Sequence, residues 1–99
     1  MGADKFTAHG KAAFDLLSDG RWHDIVDVVH HIGHFIPHGR AIRAWEDDHP
    51  NPRGTVTTDL KVLAGRRRIA RSIVGNQVRS GAWERSGDLV RLSNRSTPS

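Results

Sequence analysis

The sequence predicts a domain that is mainly α, with a small β-hairpin at its C-terminal end. Apolar residues recur at helical spacing along several stretches of the first 80 residues. Two short runs of strand-forming residues then flank a Ser-Gly-Asp turn, which is typical of a hairpin. The chain has 99 residues, of which 36% are apolar, so it can fill one small core.

Composition excludes several classes of protein. The sequence lacks cysteine, which rules out disulfides, a thiolate zinc site and a cysteine nucleophile, and fits a cytoplasmic location. It also lacks a signal peptide and any apolar run near the ~18 residues of a membrane span, so no membrane association is predicted. We predict one domain over residues 1–92 and a disordered polar tail over residues 93–99. A homodimer would enlarge the core, and the sequence leaves that open.

The first helix is predicted over residues 7–17, with Thr7 as its N-cap. Its apolar stripe consists of Phe6, Gly10, Ala13, Phe14 and Leu17. Gly20 suits the left-handed conformation that ends a helix. Trp22 lies in a segment too short for more than a stub of strand, and we predict that it fills the core.

Two further helices follow. The second is predicted over residues 24–35, with Asp24 as its N-cap. Its buried stripe consists of Ile25, Val28, Val29, Ile32 and Ile36. Pro37 disfavours helical geometry at the residue before it and starts a third helix over residues 37–47. Residues 48–54, rich in Pro, Asn and Gly, are predicted to form a loop.

The basic part of the chain comes next. Residues 55–64 fit either a loop or a short helix capped by Thr57 or Thr58, whereas residues 65–80 predict a clear amphipathic helix that Gly81 ends. The side of this helix opposite its apolar stripe carries Arg68, Arg71, Ser72, Gly75 and Arg79. A strand over residues 83–85, a turn over 86–88 and a strand over 89–92 complete the prediction.

The net charge changes sign along the chain. Residues 1–50 carry five Lys/Arg against eight Asp/Glu, a net of −3, whereas residues 51–99 carry ten against three, a net of +7. There is no acid between Asp59 and Glu84. A cationic helix followed by a β-ribbon matches double-stranded nucleic acid in charge and shape.

The order of elements and four short segments resemble a winged helix-turn-helix domain of the kind found in small regulators of actinobacteria and their phages. The segments are LLSDGRWH (16–23), GRRRIAR (65–71), GAWER (81–85) and VRL (90–92). The resemblance covers residues 6–92 and implies the order helix, strand stub, helix, extra helix and loop, basic helix, wing. Residues 37–64 are longer than the turn of a compact helix-turn-helix: they either pack as an extra helix and loop or reorient the basic helix.

The resemblance implies that the basic helix enters the major groove of double-stranded DNA and that the wing contacts the flanking backbone or minor groove. The planar fork of arginine can bond guanine O6 and N7 together. Gly75 would let the helix backbone approach the DNA closely. The protein would be a transcription regulator or a recombination accessory factor of phage type. The candidate DNA-binding residues are Arg66, Arg67, Arg68, Arg71, Ser72, Asn76, Arg79, Arg85 and Arg91.

Other interpretations of these residues stay open at this stage. The arginines can form an ordinary solvated helix face. A winged helix can instead bind a partner protein, here through the acidic first half with Ile42 and Trp45 as contacts.

The histidines His30, His31, His34 and His38 have spacings that can bind zinc or nickel. Pro37 separates His38 from the helix that carries the other three, and a closed site needs four ligands, so we predict no metal and no other cofactor. There is no nucleophile elbow and no glycine-rich phosphate loop, so the protein is not predicted to be an enzyme.

Overall fold

The structure, a computed structural model, describes residues 8–93. Helices dominate this part of the chain, and a small three-stranded antiparallel sheet completes it, as the sequence predicts. None of the described helices has the length and apolar character that a membrane crossing requires. In chain order the elements are α1 (Ala8–Leu17), β1 (His23–Asp24), α2 (Ile25–Gly33), α3 (His38–Asp48), α4 (Thr58–Arg79), β2 (Trp83–Ser86) and β3 (Leu89–Leu92).

Capping side chains and special backbone conformations place the helix ends. The Asp24 carboxylate accepts a hydrogen bond from the Val26 amide at 2.9 Å, which confirms Asp24 as the N-cap of α2. The Thr57 hydroxyl accepts from the Leu60 amide at 3.3 Å and caps α4. Gly20 and Gly81 have φ values of 74° and 86°, the left-handed conformation predicted after α1 and after the basic helix.

The basic helix is longer than predicted. Residues 58–79 form one continuous helix, so the boundary expected near Gly65 is wrong. The helix continues through Gly65 because the α3 backbone crosses it there: a Cβ at position 65 would lie 1.8 Å from the Ala41 carbonyl oxygen. Glycine at this position therefore serves a close crossing of two helices and does not end one.

The sheet joins the segment between α1 and α2 to the C-terminal hairpin. Its strand order is β1-β3-β2, with His23 opposite Val90 and Trp83 opposite Leu92. Gly87, at φ 58°, makes the tight turn between β2 and β3, as predicted. The Ile25 amide donates to the Asp88 carbonyl at 2.8 Å, so the hairpin turn lies beside the first residue of α2.

The core contains most of the predicted apolar stripe of α2 and one face of the second half of α4. Val28, Ile32 and Ile36 are buried, and Ile25 is partly buried. Within α1, Ala13 and Leu17 are buried but Phe14 is exposed, so that part of the predicted stripe is wrong. The other members that α4 and the sheet supply are Val62, Ala70, Val74, Trp83 and Val90.

Trp22 lies at the surface, which corrects its predicted role in the core. Its side chain is 38% exposed, and the Arg91 guanidinium stacks over the ring at 4.4 Å from the centroid. The segment before β1 is fixed by a hydrogen bond at the surface, in which the Arg21 amide donates to the Asp19 carboxylate at 2.9 Å. The buried tryptophan near the sheet is Trp83, which is 5% exposed.

Removing Trp22 is therefore expected to cost little stability. Trp22→Ala should lower the free energy of unfolding by about 1 kcal/mol, the size of an exposed cation–π contact with some lost packing. Trp83→Ala should lower it by about 3–5 kcal/mol, because a buried aromatic leaves a cavity. Urea unfolding followed by circular dichroism measures both variants. Equal losses would contradict this distribution of burial.

His9 links the stability of the fold to pH. Its side chain is buried on α1. Burial lowers the pKa of the imidazole below its usual 6.5, and the positive charge of Arg40 lowers it further. The unfolded chain thus binds a proton at a higher pH than the folded chain does. The stability that neutral His9 contributes is complete above pH 6.5 and is lost as the pH falls through the folded-state pKa.

A glutamine at position 9 is expected to make stability less dependent on pH. His9→Gln removes the titrating ring and keeps a polar side chain of similar reach. Between pH 7.5 and 5 its free energy of unfolding should fall less than that of the unchanged protein, because the other histidines are common to both. The measurement is chemical unfolding at each pH. Parallel curves would show that His9 does not titrate on unfolding.

Both predicted termini extend beyond the described residues. Phe6 and Thr7, predicted at the start of α1, lie outside them, as do residues 94–99 of the predicted tail. Ser93, assigned to that tail, is buried instead, and its amide donates to the Ala82 carbonyl at 2.9 Å. The fold therefore includes Ser93.

Candidate nucleic-acid interface

The outward side of α4 carries most of the predicted site. The side chains of Arg67, Arg71 and Ser72 are exposed, and within residues 8–93 the two arginines form no ion pair. No acid occurs along the sequence between Asp59 and Glu84, so α4 itself supplies no carboxylate to offset these charges from Leu60 to Arg79. The remaining predicted residues differ in the contacts that their side chains already make within the fold.

Arg66 is partly buried and is used inside the fold. Its Nε donates a hydrogen bond to the Ile36 carbonyl oxygen at 2.9 Å. This bond ties α4 to the turn between α2 and α3. Arg66 is one of the predicted DNA-binding residues, but in the structure its side chain binds the protein's own backbone.

Arg68 is exposed but already has an anionic partner. Its Nε lies 2.5 Å from Asp48 Oδ2, at the C-terminal end of α3. The sequence does not predict this pair, because Asp48 lies twenty positions earlier, in a helix whose packing the sequence does not reveal. Two further contacts place α3 against the first half of α4: the close approach of Ala41 to Gly65, and Lys61 Nζ at 5.0 Å from the Trp45 ring. Within residues 37–64, α3 therefore packs on α4, and residues 58–64 are the first part of α4 itself.

Three arginines from two elements meet around Gly75. Arg71 and Arg79 of α4 and Arg85 of β2 line a cleft of about 380 Å³, together with Ile25, Val74 and Val78. We call this the arginine cleft. The Arg79 guanidinium lies over Gly75, 3.6 Å from where a Cβ would stand, and donates to the Asn76 side-chain oxygen. No carboxylate lines the cleft, so it can hold an anion by charge-assisted hydrogen bonds.

The two arginines of the hairpin differ in whether a carboxylate already pairs with them. Arg85 is exposed, and its Nε donates to the Gly87 carbonyl at 2.8 Å, which holds the side chain against its own turn. Arg91 is partly buried, pairs with Glu84 at 2.9 Å and stacks on Trp22. Its charge is therefore balanced within the sheet, whereas Arg85 has no carboxylate partner among residues 8–93.

The histidine cluster spreads over two sides of α2. His30 and His34 have their rings edge to face with centroids 4.7 Å apart, while His31 packs against Phe35 at 5.5 Å. No three metal-ligating side chains converge anywhere in the described part of the chain. The four-residue spacing brings two imidazoles together, and the helix turns the third away.

Comparison with protein-family models, with curated proteins and with solved structures gave no match for this chain.

Proposed function

We propose that the chain binds double-stranded DNA as a winged helix-turn-helix protein, with α4 as the recognition helix and the β2–β3 hairpin as the wing. The order of elements supports this: α1, β1, α2 and the extra helix α3 are followed by the basic helix α4, which leads directly into the hairpin. The hydrogen bond between the Ile25 amide and the Asp88 carbonyl keeps the wing beside the start of α2.

The arginine cleft is the observation that carries the proposal. A solvated helix face would explain arginines on α4, but it gives no reason for an arginine on a separate hairpin to line the same cleft. Arg71, Arg79 and Arg85 converge on one space with no carboxylate beside it. Arginines contributed by two elements to one cleft suit contact with a phosphodiester backbone.

The contacts of α3 divide α4 into two parts with different roles. α3 packs against one side of the first half, and Arg68 there is paired with Asp48. The second half, from Arg71 to Arg79, is available to the major groove. We assign base reading to Arg71, Ser72, Asn76 and Arg79, and backbone contact to Arg67 and Arg85. Arg66 and Arg91 act by holding α4 and the hairpin in place, because both are engaged within the fold.

The role in the cell that follows is regulation of transcription or assistance to recombination in a phage-type system. The alternative is a winged-helix module that binds a protein through the acidic half of the chain. The burial of one of its two predicted contact residues weighs against it. Trp45, proposed as a surface contact, is 7% exposed and lies between His49 and Lys61. Asp48, in the same acidic half, is already paired with Arg68.

Electrophoretic shift of a duplex of random sequence tests DNA binding against the alternative. The proposal predicts a shift at low salt that weakens steeply as salt rises. A module that binds only protein predicts no shift at physiological salt. Selection of bound duplexes from a random pool then tests base reading: enrichment of a guanine-containing motif supports it, and an unchanged pool leaves backbone binding alone.

A further inference from the structure

A second concave surface lies between α2 and α4, and its floor is apolar. Ile25, Val26 and Val29 of α2 face Leu63 of α4 across a groove of about 220 Å³, which we call the α2–α4 groove. Val26 is 70% exposed and Leu63 is 48% exposed, so these side chains are not part of the core. Along α4 the groove runs from Leu63 to Arg71, about 12 Å at 1.5 Å per residue.

The α4 rim of this groove is cationic. Arg66, Arg67 and Arg71 stand along its α4 side, and His30 and His34 along its α2 side. No Asp or Glu lines it. Within residues 8–93 neither Arg67 nor Arg71 forms an ion pair that would offset this charge.

We propose that the α2–α4 groove binds a short acidic amphipathic helix of a partner protein. An apolar floor requires an apolar stripe on its ligand, and a rim of arginines without carboxylates requires acidic residues beside that stripe. A helix of two to three turns matches the length of the groove, with apolar side chains at i, i+3, i+4 and i+7 as its anchors.

This partner is a different ligand from DNA, and the inference does not depend on the proposed function. Phosphates would gain nothing from Val26 and Leu63, because a charged oxygen over an apolar floor loses water without gaining a hydrogen bond. Arg71 lines both the α2–α4 groove and the arginine cleft, so helix and duplex would compete for it. This consequence alone rests on the proposed function: occupation of the groove would release DNA.

The probe is a fluorescein-labelled peptide of about 12 residues, roughly 18 Å of helix. It carries leucine at i, i+3, i+4 and i+7 and glutamate at the flanking positions. A peptide of the same composition in scrambled order is the control, and fluorescence anisotropy with the full chain gives both affinities. The patterned peptide should bind about tenfold more tightly, because only its leucines fall on one face. Equal binding of the two peptides would overturn the proposal.

Two exposed apolar residues make the test specific to the groove. Val26→Ser and Leu63→Ser keep every charge and should each weaken peptide binding about tenfold, while duplex binding stays unchanged. Leu60→Ser is the matched control, since Leu60 is equally exposed on α4 but does not line the groove. Peptide binding should not change in that variant. Circular dichroism of all three variants checks that each remains folded.

Other occupants of the groove would give distinct results that overturn the proposal. If Leu63→Ser weakened duplex binding as much as peptide binding, the groove would be part of the DNA surface. If the unchanged protein sedimented as a dimer and Val26→Ser as a monomer, the occupant would be a second copy of the chain. If neither serine variant altered peptide binding, the peptide would be bound elsewhere by charge alone.

Discussion

Alanine in place of Gly65 is expected to lower the free energy of unfolding by roughly 3 kcal/mol, the upper end of the usual cost of overpacking. A Cβ there would lie 1.8 Å from the Ala41 carbonyl oxygen and 2.5 Å from its carbonyl carbon, so α3 as a whole would have to move away. Backbone atoms cannot rotate aside as a side chain can. Urea unfolding followed by circular dichroism measures the loss.

Gly75 in the same helix provides the matched control. A Cβ at Gly75 would meet only the end of the Arg79 side chain, at 3.6 Å, which is ordinary contact. Gly75→Ala should therefore stabilise the helix by about 0.5–1 kcal/mol. If DNA approaches the helix backbone at Gly75, the same variant should bind DNA less tightly despite being more stable. Equal stability changes at positions 65 and 75 would show that α3 does not cross α4 at Gly65.

Removing the Arg71 side chain is expected to weaken binding to a selected DNA site by about 1–3 kcal/mol, the range for one arginine that reads a base. Arg71 is exposed and lines the arginine cleft, so its loss removes a DNA contact without disturbing the core. Anisotropy titration at fixed salt gives the affinity. Arg43→Ala, which removes an exposed arginine of α3 outside the arginine cleft, is the matched control and should leave the affinity nearly unchanged.

The Arg68–Asp48 pair separates this prediction from a general effect of charge. Arg68→Ala should weaken binding less than Arg71→Ala does, because Asp48 already offsets the Arg68 charge. Asp48→Asn should strengthen binding, since it leaves Arg68 free to attract phosphate. If Arg68→Ala and Arg71→Ala gave equal losses on selected and random duplexes, both residues would act only as backbone charges.

Features that are fixed by residues close together in the sequence could be predicted from it. Asp24 caps α2 because a short acceptor two residues before an amide satisfies it locally. Gly87 forms its turn for a similarly local reason, a backbone conformation that glycine adopts at little cost. The apolar period of three to four residues was enough to place α2 and the second half of α4.

Features that depend on how helices cross could not be predicted. Gly65 resembles a helix boundary until the Ala41 backbone is seen beside it. The helical wheel correctly places Arg68 on the outward side of α4. It does not show that the Asp48 carboxylate of α3 lies beside Arg68 and pairs with it. Trp22 was assigned to the core on its size alone, whereas the cation that covers it comes from Arg91, in a strand far along the chain. The α2–α4 groove likewise exists only through the relative placement of two helices.

The most direct test of the central claim is the dependence of duplex affinity on salt. A random duplex offers no selected bases to read, so Arg71 and Arg79 should contact its phosphates as Arg67 and Arg85 do. With four phosphates neutralised, the slope of log affinity against log salt concentration should be about −3.6. The titration covers about 50 to 200 mM salt. Replacing all four arginines with alanine should bring the slope close to zero. A slope near zero for the unchanged protein, or a steep slope that survives loss of the four arginines, would contradict the assignment of this surface to DNA.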